Sequence, residues 1–323
     1  MPPTMPSPLR LLLLAALAAG CSSAQSGADP TEGVTDLTGA LLTSRSATCA
    51  DYADTYAARA TDLQAGTTFT AALVVSADGS GCDVVSNAIP NHDFNATGGF
   101  VAPVSEQDQR YTIPADPTPA AQPTPLTLAY DDAILLNGVK VDMLAAGCFF
   151  VQTGCTDPDE PFRYNPLVAR RFQEDEHHAH TQPDGAYHYH GDPRALFDNA
   201  DASAPSPVIG FAADGFPIFG SYIDDGGTVR KATSSYRLKT GTRPGGPDGP
   251  GGRYDGTYVD DYEYVPGSGD LDACNGMTAD GVYGYVVTEA YPYILGCFTG
   301  TPDPSFLKPG LARRGAPGAR RRN

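Results

Sequence analysis

The sequence predicts a mainly β protein of the β-rich α+β class, folded as a single compact, sandwich-like domain with many ordered glycine and proline loops. Three observations support this prediction. The 323 residues include 36 glycines and 29 prolines, which interrupt helices and form turns. Tyrosine (17) outnumbers phenylalanine (13), and tryptophan is absent. Short apolar runs rich in β-branched and aromatic residues recur between turn signals, which is typical of strands.

The acidic composition narrows the classes of partner. The formal net charge is −17, so nucleic acid, which is itself anionic, is not expected as a partner. Cations are more favourable partners. An acidic surface that keeps an exported protein soluble explains the charge equally well.

The N-terminal residues predict export. Residues 1–20 contain one basic residue, Arg10, and an apolar run too short to span a membrane, so they are predicted to be a signal peptide. The run ends at Cys21 in a pattern similar to a bacterial lipobox, which predicts lipidation of Cys21 and a flexible tether over 21–40. We therefore expect a cell-envelope lipoprotein that contacts the membrane only through its lipid anchor, or otherwise a secreted protein.

The cysteines predict disulfide bonds. The chain has seven cysteines, and lipidation of Cys21 would leave an even number, as expected for an exported protein. A thiolate metal site is the alternative, but the chain contains no Cys-x-x-Cys pair to support it. Proximity in the sequence favours three pairs: Cys148 with Cys155, Cys49 with Cys82, and Cys274 with Cys297.

The first half of the domain is predicted to contain one helix followed by strands. Residues 48–63 have helical character, and the runs "TFTAALVVSADG" and "CDVVSNAIP" predict two strands after it. Repeated prolines between 102 and 125 predict an extended loop that crosses the domain.

Two hairpins and a loop are predicted in the second half. Residues 133–143 predict a hairpin about an Asn-Gly turn, and 206–223 predict another about an Asp-Gly turn. Residues 240–256 predict an ordered loop, because glycine and proline are dense there. The domain is expected to span 41–306, with a basic, disordered tail over 307–323.

A group of histidines is the strongest chemical signal. Five of the six histidines lie between 156 and 207. In "AYHYHG" (186–191), strand alternation would point His188 and His190 to one face and Tyr187 and Tyr189 to the other. Two imidazoles on one face can bind one metal ion at about 2.0–2.1 Å while the tyrosines pack against the opposite side.

A second histidine pair precedes the first. "EHHAHTQ" places His178 two residues before His180, and "QPDG" (182–185) predicts a turn that would join the two segments as a hairpin. Two His-x-His pairs favour a transition-metal site, with copper or zinc as the ion. Exposed histidines that are hydrogen-bonded to carboxylates are the alternative. Calcium bound by aspartate-rich turns is a further candidate, although no segment has the EF-hand spacing.

Segments spread over most of 85–306 resemble the YHYH-domain family of exported bacterial proteins. In order, they are "IPNH" (89–92), "LNGV" (136–139), "AHTQPDGAYHYHG" (179–191), "GFAADGFPI" (210–218), "SSYRLKTGTRP" (234–244), "YDGTYVDDYEYVPGSGDLDACNG" (254–276) and "GTPDPSF" (300–306). The family is named for its motif, so the resemblance implies no particular reaction.

The resemblance implies a sharper metal site. Histidine occurs in the family pattern at four matching positions, which form the predicted ligand set: His92, His180, His188 and His190. Further candidates beside this set are His178, Gln182, Tyr187, Tyr189 and Asp214.

Two classes of function follow from this site. The first is a metal protein that binds or traffics the ion, or a metal-dependent hydrolase or oxidoreductase in which an open coordination position activates water or oxygen. In the enzyme, Tyr187, Tyr189 or Asp214 would act as general acid or general base. The second class is a non-catalytic surface, structural or carbohydrate-interaction module with no bound metal. Convergence of the imidazole nitrogens on one point would distinguish the first class from the second.

Overall fold

Strands and short 3-10 helices make up the described part of the chain. The structure is a computed structural model that describes residues 33–151, 154–155, 157, 160–169, 171–200 and 202–308. The predicted signal peptide, Cys21, most of the tether and the tail from 309 lie outside the described residues. The described residues from Val34 onward belong to one compact unit. Within the described ranges, no helix is long and apolar enough to cross a membrane.

The first sheet has five strands in sequential order. They are β1 (Thr35–Asp36), β2 (Asp54–Asp62), β3 (Thr67–Ala77), β4 (Gly81–Ser86) and β5 (Gln109–Pro114). β1 is parallel to β2, and the other neighbours pair antiparallel. Side chains alternate between core and solvent, so Leu73 and Val75 are buried while Val74 between them is 39% exposed.

The helix predicted over 48–63 is wrong. A 3-10 helix at Cys49–Tyr52 is followed directly by β2, which pairs with β3 along its whole length. Ala58 and Ala60 are buried, whereas Arg59 between them is exposed. This period of two matches a half-buried strand, and pairing with β3 outweighs the helix propensity of alanine.

The remaining strands follow the proline-rich crossing. They are β6 (Thr124–Pro125), β7 (Ala133–Leu135), β8 (Lys140–Val141), β9 (Ala179–Thr181), β10 (Tyr187–Tyr189), β11 (Val208–Ala212), β12 (Pro217–Phe219), β13 (Tyr222–Asp225), β14 (Thr228–Lys231), β15 (Tyr236–Leu238), β16 (Tyr262–Tyr264), β17 (Gly276–Ala279), β18 (Val282–Val286) and β19 (Cys297–Phe298). Three further 3-10 helices lie at Gly246–Asp248, Val259–Asp261 and Pro304–Phe306.

The second sheet has eight strands in the order β17-β18-β12-β11-β7-β8-β10-β9. β13 with β14, β15 with β16, and β19 with β6 form two-stranded pairs. Both large sheets contribute to one apolar core, which includes Leu73 and Val84 from the first sheet and Ile134 and Phe211 from the second. The predicted β-rich, sandwich-like class is therefore confirmed, and β9 and β10 lie at one edge of the larger sheet.

Both predicted hairpin turns are present. Asn137-Gly138 joins β7 to β8, and Asp214-Gly215 joins β11 to β12, with φ values of 82° at Gly138 and 87° at Gly215. Only glycine adopts such angles at little cost. A Cβ at Gly138 would also lie 2.5 Å from Ser86 Oγ, so this turn needs glycine where the two sheets meet.

All three predicted disulfides are present. Their Cα–Cα distances are 6.1 Å for Cys49–Cys82, 5.9 Å for Cys148–Cys155 and 4.6 Å for Cys274–Cys297. These bonds fit an extracytoplasmic location, because cytosolic thiols are normally kept reduced.

Removal of Cys49–Cys82 by double alanine substitution is expected to lower the free energy of unfolding by about 3–4 kcal/mol, because the bond restrains a long loop in the unfolded chain. This disulfide has a sequence separation of 33 residues, against 7 for Cys148–Cys155. The same substitutions at Cys148 and Cys155 should cost less, about 2 kcal/mol. Urea unfolding of the two variants measures the difference, and equal losses would contradict the loop-entropy explanation.

Candidate metal centre

β9 and β10 form the hairpin that the sequence predicts. The "QPDG" turn closes it, with Gly185 N donating to the carbonyl of Gln182 at 2.9 Å and a φ of 84° at Gly185. His188 lies directly opposite His180 in the antiparallel register. His190 follows His188 by two residues and shares its face.

The Nε2 atoms of His180, His188 and His190 meet. His190 Nε2 lies 3.0 Å from His188 Nε2 and 3.0 Å from His180 Nε2. One ligand atom from each ring lies within 4.8 Å of both others. Nitrogens bound at about 2.0–2.1 Å to a tetrahedral ion are about 3.3 Å apart, so small side-chain shifts would place all three around one ion.

Hydrogen bonding alone does not account for this cluster. His188 Nδ1 faces the carbonyl of Ala186 at 3.2 Å, which can only accept, so Nδ1 carries the proton and Nε2 carries a lone pair. A ring nitrogen has a single in-plane hydrogen or lone pair, so His190 Nε2 can form one well-directed hydrogen bond, yet it has two ring nitrogens at 3.0 Å. A cation beside these nitrogens would relieve the close contact that no hydrogen bond satisfies.

Burial keeps these imidazoles neutral. The exposed fractions of His180, His188 and His190 are 8%, 2% and 3%. Burial lowers the pKa of His180 to about 4. Burial, followed by the neighbouring histidines, holds the pKa values of His188 and His190 well below 6.5. Neutral imidazole is the form that binds metals.

Charged groups lie on the same face of the sheet as the histidines. β8 is parallel to β10, with Val141 opposite Tyr189, so Lys140 and Asp142 project to the side of His188 and His190. Gln182 confirms this placement, because its side chain accepts from Lys140 Nζ at 3.2 Å and donates to Asp142 Oδ2 at 3.0 Å.

Two buried ion pairs connect this face to the rest of the domain. Lys140 Nζ lies 2.8 Å from Asp131 Oδ1, and Lys308 Nζ lies 2.6 Å from Asp142 Oδ2. Burial would lower the pKa of Lys308, but Asp142 and Asp131 outweigh it and raise the pKa. Burial and the nearby Asp142 raise the pKa of Asp132 well above its usual range.

These charged residues were missed by the sequence analysis. Lys140 and Asp142 had a detectable signal, because they alternate with apolar residues in "VKVDM" and so share a face of a strand. Lys308 had none, because only the tertiary fold brings it to this site.

His92 does not join the cluster, so three of the four predicted ligands meet in the structure. Its Nδ1 lies 2.8 Å from the carbonyl of Asp93, and its Nε2 lies 2.7 Å from Tyr189 Oη on the other side of β10. Its ring packs against His177 at a tilt of 41°, with centroids 3.9 Å apart. Burial, and then His177, lowers the pKa of His92 to about 3.

His178 also lies outside the cluster. Its φ of 55° breaks the strand alternation before β9, so it does not share the face of His180. Its Nδ1 instead lies 3.0 Å from the carbonyl of Asp192. Burial lowers its pKa to about 4, and the nearby Arg194 adds to this effect.

The two tyrosines occupy the opposite side of β10, as predicted. Both are buried in the core. Tyr187 Oη donates to Asp175 Oδ2 at 2.8 Å, and Tyr189 Oη accepts from Asn137 Nδ2 at 2.9 Å. Their hydroxyl groups therefore hold β10 in place from the side that faces away from the imidazoles.

Asp214 makes structural contacts away from the cluster. Its Oδ2 accepts from Tyr285 Oη at 2.6 Å and from Gly300 N at 2.8 Å. It therefore ties the turn of one hairpin to a later segment. Among the described residues, the histidines form the one group of three or more potential ligands from His, Cys, Asp and Glu. The aspartate-rich turns considered for calcium form no such group in that part of the chain.

The fold and the cluster together define a class: a disulfide-bonded β protein with three buried histidines that meet at one edge of a sheet. The chain belongs to the YHYH protein family, whose sequence model, described as "YHYH protein", matches residues 110–300. This range includes the three clustered histidines and leaves out His92. Neither a curated protein nor a solved structure matches the chain.

Proposed function

We propose that the protein is an exported, lipid-anchored component of the cell envelope that binds one transition-metal ion, zinc or copper, on His180, His188 and His190. The approach of His180 Nε2 and His188 Nε2 to 3.0 Å from His190 Nε2 carries this proposal. Imidazole nitrogen suits both ions. The disulfides support export, and the lipid on Cys21 would supply the membrane contact.

A catalytic role is the second candidate. Three protein ligands leave a fourth position of a tetrahedral ion for water or substrate, as in zinc enzymes with three histidine ligands. Gln182, Asp142 and Lys308 are hydrogen-bonded to one another on the same side of the sheet and are the polar groups that would serve such a reaction.

The test is the metal content of the untagged full-length chain purified from its native cell envelope. About one equivalent of zinc or copper is expected, together with its loss in His188→Ala and His190→Ala. His178→Ala is the matched control and should keep the metal, because its ring lies outside the cluster. Metal at a hundredfold excess over Kd should raise Tm by roughly 5 °C or more.

If the wild-type protein contains no metal and its Tm does not change on addition of zinc, Cu(I) or Cu(II), the metal proposal is rejected. The alternative, a non-catalytic surface module without a bound metal, would then replace it. In that case the histidines would be structural, and binding of carbohydrates would be the next activity to measure.

A further inference from the structure

The electric charge on and around the three histidines bears on which metal ion they would prefer. The inference drawn from it rests on the proposed metal function. We infer that the preferred ion is monovalent copper, Cu(I), and that divalent zinc and Cu(II) bind less tightly. The observations that carry this inference are the neutral donor set, its burial and the balanced charges around it.

The ligands supply no negative charge. All three are imidazoles, and no carboxylate of a described residue belongs to the group whose ligand atoms lie within 4.8 Å of one another. The rings are at least nine-tenths buried. The free energy of moving an ion from water into such an interior rises with the square of its charge. It is therefore about four times larger for a divalent ion than for a monovalent one.

The surrounding charges do not compensate a divalent ion. Lys140 pairs with Asp131, and Lys308 pairs with Asp142. These four groups sum to zero. The two ammonium groups lie on the same face of the sheet as the rings, so they oppose additional positive charge there.

Hydroxide is the usual way in which a three-histidine site tolerates Zn²⁺. It occupies the fourth position and cancels one charge, which requires access to water. Here the rings are almost completely buried, and Phe172 lies edge-on to His180 with centroids 6.1 Å apart. Copper is the ion suited to imidazole that is also stable in a monovalent state.

The first test compares affinities on the untagged full-length protein. Cu(I) is measured under nitrogen with ascorbate and the chelator bicinchoninate, and Cu(II) and Zn²⁺ are measured by chelator competition in air. Cu(I) is expected to bind at least tenfold more tightly than either divalent ion. A tenfold preference for Cu(I) over Cu(II) raises the reduction potential of the bound couple by about 59 mV relative to free copper.

Gln182→Glu tests the electrostatic cause. The substitution adds one negative charge with little change in shape, next to Lys140 and Asp142. Because Coulomb energy is proportional to the charge of the ion, an f-fold gain for Cu(I) should be accompanied by an f²-fold gain for Zn²⁺. Gln182→Met is the uncharged control: it removes both side-chain hydrogen bonds of Gln182 without adding charge, so it should change both affinities by the same factor.

The outcomes separate the two proposals. Tighter binding of Cu(I) together with the squared response supports the inference. Tighter binding of Zn²⁺ or Cu(II) than of Cu(I) overturns it and leaves the proposed metal function intact. Equal gains for Cu(I) and Zn²⁺ in Gln182→Glu also overturn it, because charge would then not govern the preference. Binding of none of the three ions rejects the metal function itself.

Discussion

The affinity of the protein for the proposed metal ion is expected to stay nearly constant between about pH 7 and pH 5. Protons compete with metal for an imidazole only below the pKa of that imidazole. Burial lowers the pKa of His180 to about 4, and the pKa values of His188 and His190 also lie well below 6.5. Acid should therefore weaken binding only near pH 4 and below.

Exposed histidines would behave very differently. Three ligands with an ordinary pKa near 6.5 would together lose roughly 10⁴-fold in affinity between pH 6.5 and pH 5. A synthetic peptide of residues 176–191 is the control and should show this loss. Chelator competition in half-unit pH steps measures both. If the metal affinity of the folded protein starts to fall near pH 6.5, the imidazole rings are hydrated, contrary to their burial.

Replacement of Lys140 by methionine is expected to lower the free energy of unfolding by about 3–5 kcal/mol. Lys140 and its partner Asp131 are only 6% and 9% exposed at the side chain. Methionine preserves most of the apolar stem but leaves the carboxylate of Asp131 buried without its nearest cation. The second cation, Lys308, lies 3.8 Å away and already pairs with Asp142. Urea unfolding measures the loss.

Two variants test the cause of that loss. The double substitution Lys140→Met, Asp131→Asn should recover much of the stability, because it removes the unpaired charge as well. Arg110→Met breaks an exposed pair whose side chains are 67% and 72% exposed, and it should cost less than about 1 kcal/mol. If Lys140→Met costs no more than Arg110→Met, the buried pair contributes no more than a surface one.

The parts of the fold that depend on neighbouring residues were predictable from the sequence. The turns at Asn137-Gly138 and Asp214-Gly215 need positive φ, and the residues that allow it are visible in the sequence. The same holds for β10, where strand alternation alone separates the imidazoles from the tyrosines. The helix prediction over 48–63 failed because β3, which lies beyond it in the chain, supplies the pairing that makes β2 a strand.

The parts of the site that depend on distant residues were not predictable. The resemblance predicted His92 as a ligand, but its place is set by the contact with Tyr189, which lies 97 residues away in the chain. Lys308 reaches Asp142 across 166 residues. Periodicity and turn signals carry no information about such contacts, so a sequence can predict which residue types bind a metal without predicting which of them meet.

The alternation in "YHYH" also protects the hairpin against mispairing during folding. A slip of β10 by one residue would turn both tyrosines toward His180 and both imidazoles toward the interior, where Tyr187 now packs 5.1 Å from Phe94 between ring centroids. That arrangement would bury polar rings without partners and would separate the ligands from one another. A misregistered hairpin could therefore neither close the core nor bring the three imidazoles together.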